Sequence, residues 1–466
     1  MTEDLHTDSS GKFYRRAIII VTVVAAGLRL YRIDQGFWYD ELFSLQNFFN
    51  AGWMKLFTEM PDPNHHPLYS VLAKISITAL GEKEWTARLP AFLFGAATPP
   101  LVYLFGARSL NRSAGLVAAL LLSFNMWHIY LSQDARGYSA AVFFVLFSTY
   151  FFMLLLEKIT IARVAAYVLL SAGAMYFHLY TFAAPVGHLL MAGIYLAANR
   201  SKWKSSVFIP LAPVFALLLA GLIYFPMFDD MLRFARTEGQ IIGTREFNFY
   251  FIKGLFYSWA SGADSFWLSL PLIIISLAGF VLGVKKRPWF VLAWVLPLLV
   301  ALLVPLFTDT FVYHRFYTFL MPGFFLVSGY GVARLLHLAK APSLSWLPVG
   351  IVLVVFMVPA VHEYHTLGKQ GLKEAAEWIE DNAPEKKALA IGLAREQFRY
   401  YIPHAVTLEK NVILDERWLS DSVVVYAFPW SVKRENKIRL ENGCGKPIVF
   451  KSAGYDENVV RLYRCY

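Results

Sequence analysis

Charged side chains are scarce in this chain: 16% of its 466 residues are Asp, Glu, Lys or Arg, against 57% hydrophobic. A soluble chain of this length needs more polar surface, and the apolar residues come in long blocks. A hydrocarbon core of about 30 Å asks for about 20 apolar residues per helix, so the composition reads as a polytopic membrane protein. Also missing are a Gly-rich phosphate loop, a G-x-G-x-x-G pattern and a nucleophile elbow, which leaves nucleotide handling in the cytoplasm unsupported. The net charge is +10, yet the basic residues form no patch or tail. They sit in short connectors between apolar blocks, as in cytoplasmic loops, and nucleic-acid binding is set aside on that ground. Neither internal repeats nor low-complexity stretches occur, and the first apolar block, AIIIVTVVAAGLRLY, lacks a small-residue cleavage site. Polar residues 1–12 are expected to be disordered.

What is present threads the chain. Basic clusters fall at Lys12/Arg15/Arg16, Arg108/Arg112, Lys158/Arg163, Arg200/Lys202/Lys204, Lys285/Lys286/Arg287 and Arg334/Lys340. Placing all of them inside gives about eleven helices: 17–33, 89–107, 114–132, 138–156, 163–180, 182–198, 206–224, 267–284, 289–306, 316–333 and 345–361. PLYSVLAKISITAL, 67–80, is left out. It is short for a span, contains Lys74, and suits a helix lying in the interface. The N-terminus is then inside and the C-terminus outside. The outer face receives the loop 34–88, the turns 132–137, 177–182 and 308–315, a loop over 225–266, and a tail, 362–466.

The chain accordingly divides into a transmembrane domain, 1–361, and a small extracytoplasmic domain, 362–466. In the tail, GLKEAAEWIEDNAP reads as an amphipathic helix, and ALAIGL, SVVVYAFPW and KPIVFKS as strands, giving an α/β fold whose topology the pattern does not specify. The two cysteines, Cys444 and Cys465, both lie there. A disulfide between them would close a loop of roughly 20 residues and contribute on the order of 3 kcal/mol; two independent thiols are the other reading.

Polar residues collect on the outer side. In GFWYDELFSLQNFF, Asp40 and Glu41 stand among Phe37, Trp38, Tyr39 and Phe43, and the apolar residues that follow recur at helical spacing. Such a pair is ordinarily just solvated. Among rings at a membrane lip it is partly desolvated, which raises proton affinity and suits a general base. PDPNHHPLYS supplies His65 and His66, SQDARGYS supplies Asp134, Arg136 and Tyr138, TARLPAF supplies Arg88, YFHLYTF supplies His178, and VYHRFYTF supplies Arg315. Each alone has a plain reading: a turn, an ion pair, a snorkelling arginine. Two adjacent histidines without a third ligand are weak evidence for a metal, so metal dependence stays open. Together, acids and cations from five loops fall at one end of the bundle and none at mid-membrane, where a transporter more often places them.

An external transfer reaction has no ready ATP or nucleotide sugar and must draw on an activated donor already in the membrane. A polyprenyl-phosphate sugar meets that need. Its leaving group is a stable lipid monophosphate, so the reaction asks for a base on the acceptor hydroxyl and cations at the phosphate. The rival readings are a transporter or lipid flippase, and a non-catalytic assembly or sensor protein acting through the tail.

An ordered set of motifs then carries a resemblance. Trp38-x-Asp40-Glu41-x-x-Ser44, His66 to Tyr69, Arg88 to Pro90, Ser132 to Tyr138 and Arg315 to Pro322 follow one another along the chain. The set resembles the bacterial GT-C glycosyltransferases of family 39, relatives of protein O-mannosyltransferases and aminoarabinose transferases, over about residues 15–335. The resemblance implies a multi-pass protein of the bacterial cytoplasmic membrane that moves a sugar, with inversion, from a polyprenyl-phosphate donor to a hydroxyl of a lipid, polysaccharide or protein. It implies Asp40 as the base with Glu41 in support, Arg88 and Arg136 as phosphate ligands, and Asp134 as a site carboxylate. Asn64-His65-His66-Pro67 stands where some relatives carry a lysine and a metal-binding glutamate, so those roles do not transfer. His66 is the replacement candidate at the phosphate, with Arg315 beside it and His65, Tyr138 and His178 in the site.

Overall fold

The computed structural model describes every residue except 1, 61, 63, 203–205, 238–247, 263–264, 308–311, 339–346, 410–411 and 454–458. Lys204, Lys340, Thr308–Phe311 of the turn before Arg315 and the first two residues of the expected span 345–361 therefore lie outside the described residues. The chain forms two compact units, one of Met1–Tyr31, Gly52–Gly81 and Thr86–Val361, the other of Arg32–Ala51, Glu82–Trp85 and His362–Tyr466.

The first ten helices are α1 (Thr2–Leu30), α2 (Tyr39–Ser44), α3 (Lys55–Thr58), α4 (Pro67–Leu80), α5 (Glu84–Ser109), α6 (Arg112–Ser123), α7 (Met126–Ser132), α8 (Tyr138–Glu157), α9 (Ile161–Phe177) and α10 (Ala183–Ala198). Eight stretches among the described residues are long and apolar enough to cross a membrane. They are Glu84–Ser109, Tyr138–Glu157, Leu179–Ala198, Leu211–Phe234, Phe266–Lys286, Pro288–Phe307, His314–Leu335 and Val349–Asn382. The α6–α7 pair makes a ninth if taken as one span. With α1, whose apolar part carries Arg15, Arg16 and Arg29, and with α9, of 17 residues, these correspond in order to the eleven expected segments. α4 is a 14-residue helix, as its length foretold.

Four expectations need correction. α1 begins at Thr2, so the polar N-terminus continues the helix that the apolar block nucleates. The segment 114–132 is not one straight helix: α6 and α7 meet at a 66° bend. Asn125 is the reason, because its Oδ1 accepts from His128 N at 2.9 Å and caps α7, ending α6 just before it. The stretch 225–266 is no plain loop, since it contains the helices Phe228–Thr237 and Phe249–Ala260. Finally, the segment expected from 316 starts as a 3₁₀ turn, His314–Leu320, and becomes α-helical at Met321.

Small residues set the helix spacing in the membrane unit. A Cβ on Gly106 of α5 would lie 2.6 Å from Gly115 Cα, so these two helices cross backbone to backbone. In the other unit, five strands form one sheet in the order β2-β1-β3-β5-β4: β1 Lys387–Ala390, β2 Val406–Thr407, β3 Ser422–Ala427, β4 Ile448–Phe450 and β5 Val460–Arg464. β1 runs parallel to β2 and β3, and β5 is antiparallel to β3 and β4. β3 is buried at every position, which is why SVVVYA reads as an unbroken apolar run. A disulfide joins Cys444, ending the helix Arg434–Cys444, to Cys465 just after β5.

Candidate active site

In the membrane unit, five of the expected residues converge. His66 is the N-cap of α4, ahead of Pro67 at the first helical position, where proline's missing N–H costs nothing. Its Nδ1–H donates to Phe177 O at 2.7 Å, at the end of α9. A neutral ring so fixed presents Nε2 as an acceptor. Its ring lies 5.0 Å from Tyr138 and 5.2 Å from His178, and Tyr138 and His178 are themselves 5.1 Å apart. Arg315 Nε donates to Tyr138 Oη at 3.0 Å, and the Arg315 guanidinium lies 4.0 Å from the Tyr313 ring centre. The Arg136 guanidinium is 5.7 Å from the centre of the Tyr138 ring, that of Arg315 5.9 Å. Arg136 also donates to Asn64 Oδ1 at 3.2 Å.

Local sequence explains the convergence. Gly137 precedes α8, and a Cβ there would stand 2.3 Å from Phe177 O and 2.9 Å from His66 Nδ1. Only glycine lets the Arg136–Tyr138 backbone come so close. Thr318 Oγ1 donates to Arg315 O at 2.7 Å and steadies the 3₁₀ turn. Burial, with Arg136 nearby, pushes the His66 imidazole well below its usual value, and burial pushes His65 down to about 4. The site thus places two guanidiniums and a phenol, donors suited to an oxyanion such as a phosphate, beside uncharged imidazoles.

Arg88, on α5, and Asp134, between α7 and α8, are fully buried in the same unit. His65, next to His66 in sequence, is also buried and feels the Arg136 charge. Among the described residues no group of three or more His, Cys, Asp or Glu is arranged to hold a metal ion.

Asp40 and Glu41 belong to the other compact unit. Both are buried on α2, a six-residue helix. Glu41 Oε2 accepts from Trp38 N at 3.2 Å, and its other oxygen lies 3.5 Å from Lys369 Nζ with both side chains excluded from solvent. Tyr39 N donates to Gln370 Oε1 at 2.9 Å, and the Tyr39 ring stands edge-on to Phe428, 5.4 Å away. Glu41 is therefore committed to a buried ion pair, while Asp40 is the adjoining acid on the same turn. Sequence reasoning missed Lys369, Asn64 and Gly137. Of these only Gly137, a glycine opening a long helix, carried a local signal.

Residues 64–225 match the family model described as dolichyl-phosphate-mannose-protein mannosyltransferase. Among solved structures, the chain is similar to ArnT from Cupriavidus metallidurans in the apo state, at 13% identity and a TM-score of 0.58, covering 97% of this chain and 98% of that one. The same protein bound to undecaprenyl phosphate matches at 14% identity and a TM-score of 0.54, over 97% and 98%. The archaeal oligosaccharyltransferase AglB from Archaeoglobus fulgidus, in complex with an inhibitory peptide and a dolichol-phosphate, matches at 11% and 0.54, over 94% and 73%. No curated protein matches the chain. The chain thus shares the multi-helix GT-C fold of these structures along nearly its whole length, and the family match lies within that fold.

Proposed function

We propose that the protein transfers a sugar from a polyprenyl-phosphate donor to an acceptor hydroxyl on the external face of the bacterial cytoplasmic membrane, with inversion. The N-terminus lies inside and the tail outside. Asp40 takes the acceptor's proton as the hydroxyl oxygen attacks the anomeric carbon. The bond from that carbon to the phosphate oxygen breaks, and its electron pair leaves with the lipid phosphate. Arg136 and Arg315, with Arg88, hold that phosphate and offset the charge growing on it. His66, a neutral acceptor at Nε2, orients hydroxyls around Tyr138 and complements these cations. Asp134, His65 and His178 complete the pocket wall, and Glu41, tied to Lys369, keeps the turn that carries Asp40.

The observation that carries this reading is the approach of Arg136 and Arg315 to one tyrosine ring, with His66 and His178 against it. The undecaprenyl phosphate bound by the ArnT relative and the dolichol-phosphate bound by AglB support the same donor class. The test is undecaprenyl phosphate binding by the full chain in nanodiscs. Charge-assisted bonds of about 1.5–3 kcal/mol each predict that Arg136→Gln or Arg315→Gln weakens binding tenfold or more, with undecaprenol binding unchanged. Equal affinity for the phosphate and the alcohol in the wild type would sink the reading.

A further inference from the structure

We propose that Arg29 is a positioning residue that fixes the Ser132–Arg136 segment for lipid-phosphate binding; this rests on the functional reading above. Arg29 lies in the last turn of α1 and is fully buried. A guanidinium has five N–H donors. Here Nε donates to Ser132 Oγ at 3.2 Å, Nη1 to Ala25 O at 2.8 Å and Ser123 O at 3.2 Å, and Nη2 to Leu122 O at 3.4 Å and His128 Nδ1 at 2.6 Å. Every donor is occupied and every partner is neutral, so the group is no anion site. It is a cation placed where a hydrocarbon side chain would be far less costly to bury.

The partners show what it does. Leu122 and Ser123 end α6, and Arg29 donates to both of their carbonyls at the 66° bend. His128 and Ser132 are one turn apart on α7, so the same group grips both arms of the bent pair. The grip is reciprocal, because Gln133 Nε2 donates to Arg29 O at 2.8 Å and to Tyr31 O at 2.7 Å, on either side of the last residue of α1. Ser132 cannot retreat, because it lies against Gly95, where even a Cβ would come within 2.1 Å of its hydroxyl. From this pinned point the chain runs through Asp134 to Arg136 and Tyr138. Lysine, with three donors on one point, cannot reproduce a five-way fork.

The experiment measures binding of undecaprenyl phosphate and of undecaprenol to the full chain in nanodiscs, with the melting temperature of each variant. Arg29→Met is expected to weaken phosphate binding at least tenfold while undecaprenol binding holds, and Arg29→Lys does not rescue it. Adding Arg136→Gln to Arg29→Met should then cost little more, because the phosphate contact is already lost. Wild-type affinity in Arg29→Met, losses that multiply independently in the double variant, or equal losses for both lipids would overturn the inference. If Arg29→Met does not fold, Gln133→Met decides, and unchanged phosphate selectivity there overturns it. A wild type that ignores undecaprenyl phosphate defeats the functional reading itself and this inference with it.

Discussion

Tyr138 illustrates what single residues disclose and what they hide. Its neighbours Arg136 and Gly137 stand beside it in sequence, and His66, His178 and Arg315 each open or close a helix on the side of the bundle inferred to face outward. That placement makes the cluster legible in the sequence. Arg29 and Lys369 gave no such sign, because their partners lie about a hundred and more than three hundred residues away and no local spacing marks them. The histidines yield a pH prediction. Burial holds His65 down to about 4 and His66 well below the ordinary range, whereas an unfolded histidine titrates near about 6.5. A depressed folded value means the stabilising contribution is present above that unfolded value and is lost as pH falls toward the folded one. The melting temperature should therefore drop between pH of about 6.5 and about 4, each buried imidazole adding up to about 1.4 kcal/mol per pH unit. A His65→Asn/His66→Asn double variant should flatten this slope. An equally steep profile in the double variant contradicts it.

At the scale of elements, α2 is the informative case. Six residues cannot sustain a helix alone, so its geometry is imposed by Glu41 on Trp38 N, by Gln370 on Tyr39 N and by the Glu41–Lys369 pair. Removing one partner of a buried pair leaves an uncompensated charge, at a cost of about 3–5 kcal/mol. Lys369→Met should thus lower the melting temperature and transfer activity together, and Glu41→Gln in the same chain should recover much of the stability. Recovery of neither, or no loss in Lys369→Met, would show the pair to be incidental. Elements were legible where length or period decided them, as in the 14-residue α4 and the strand β3. The α6–α7 bend was not, because its residues are apolar on both sides and only Asn125 marks it. β2 and β5 were missed too, one for its two-residue length and the other because Arg461 and Arg464 interrupt its apolar pattern.

For the whole molecule, the family match covers residues 64–225 while the fold similarity runs over nearly the full length. Composition alone announced the membrane class, since 57% hydrophobic residues in long blocks leave little choice. Which residues join the sheet-bearing unit was not legible, because Arg32–Ala51 and Glu82–Trp85 join it through tertiary contacts. The proposed orientation is checked by protease added to right-side-out spheroplasts. Residues 362–466 should be cut there and protected in inverted vesicles; the opposite pattern would turn the topology over.

The most direct measurement compares the lipid, polysaccharide and protein glycans of the cell envelope, by mass spectrometry, among cells with the wild-type gene, a deletion, and Asp40→Asn. General-base catalysis contributes roughly 10²–10⁴-fold. The Asp40→Asn protein, present at wild-type level and still binding undecaprenyl phosphate, should therefore lack the same sugar that the deletion lacks. Full restoration of that sugar by Asp40→Asn would contradict the account.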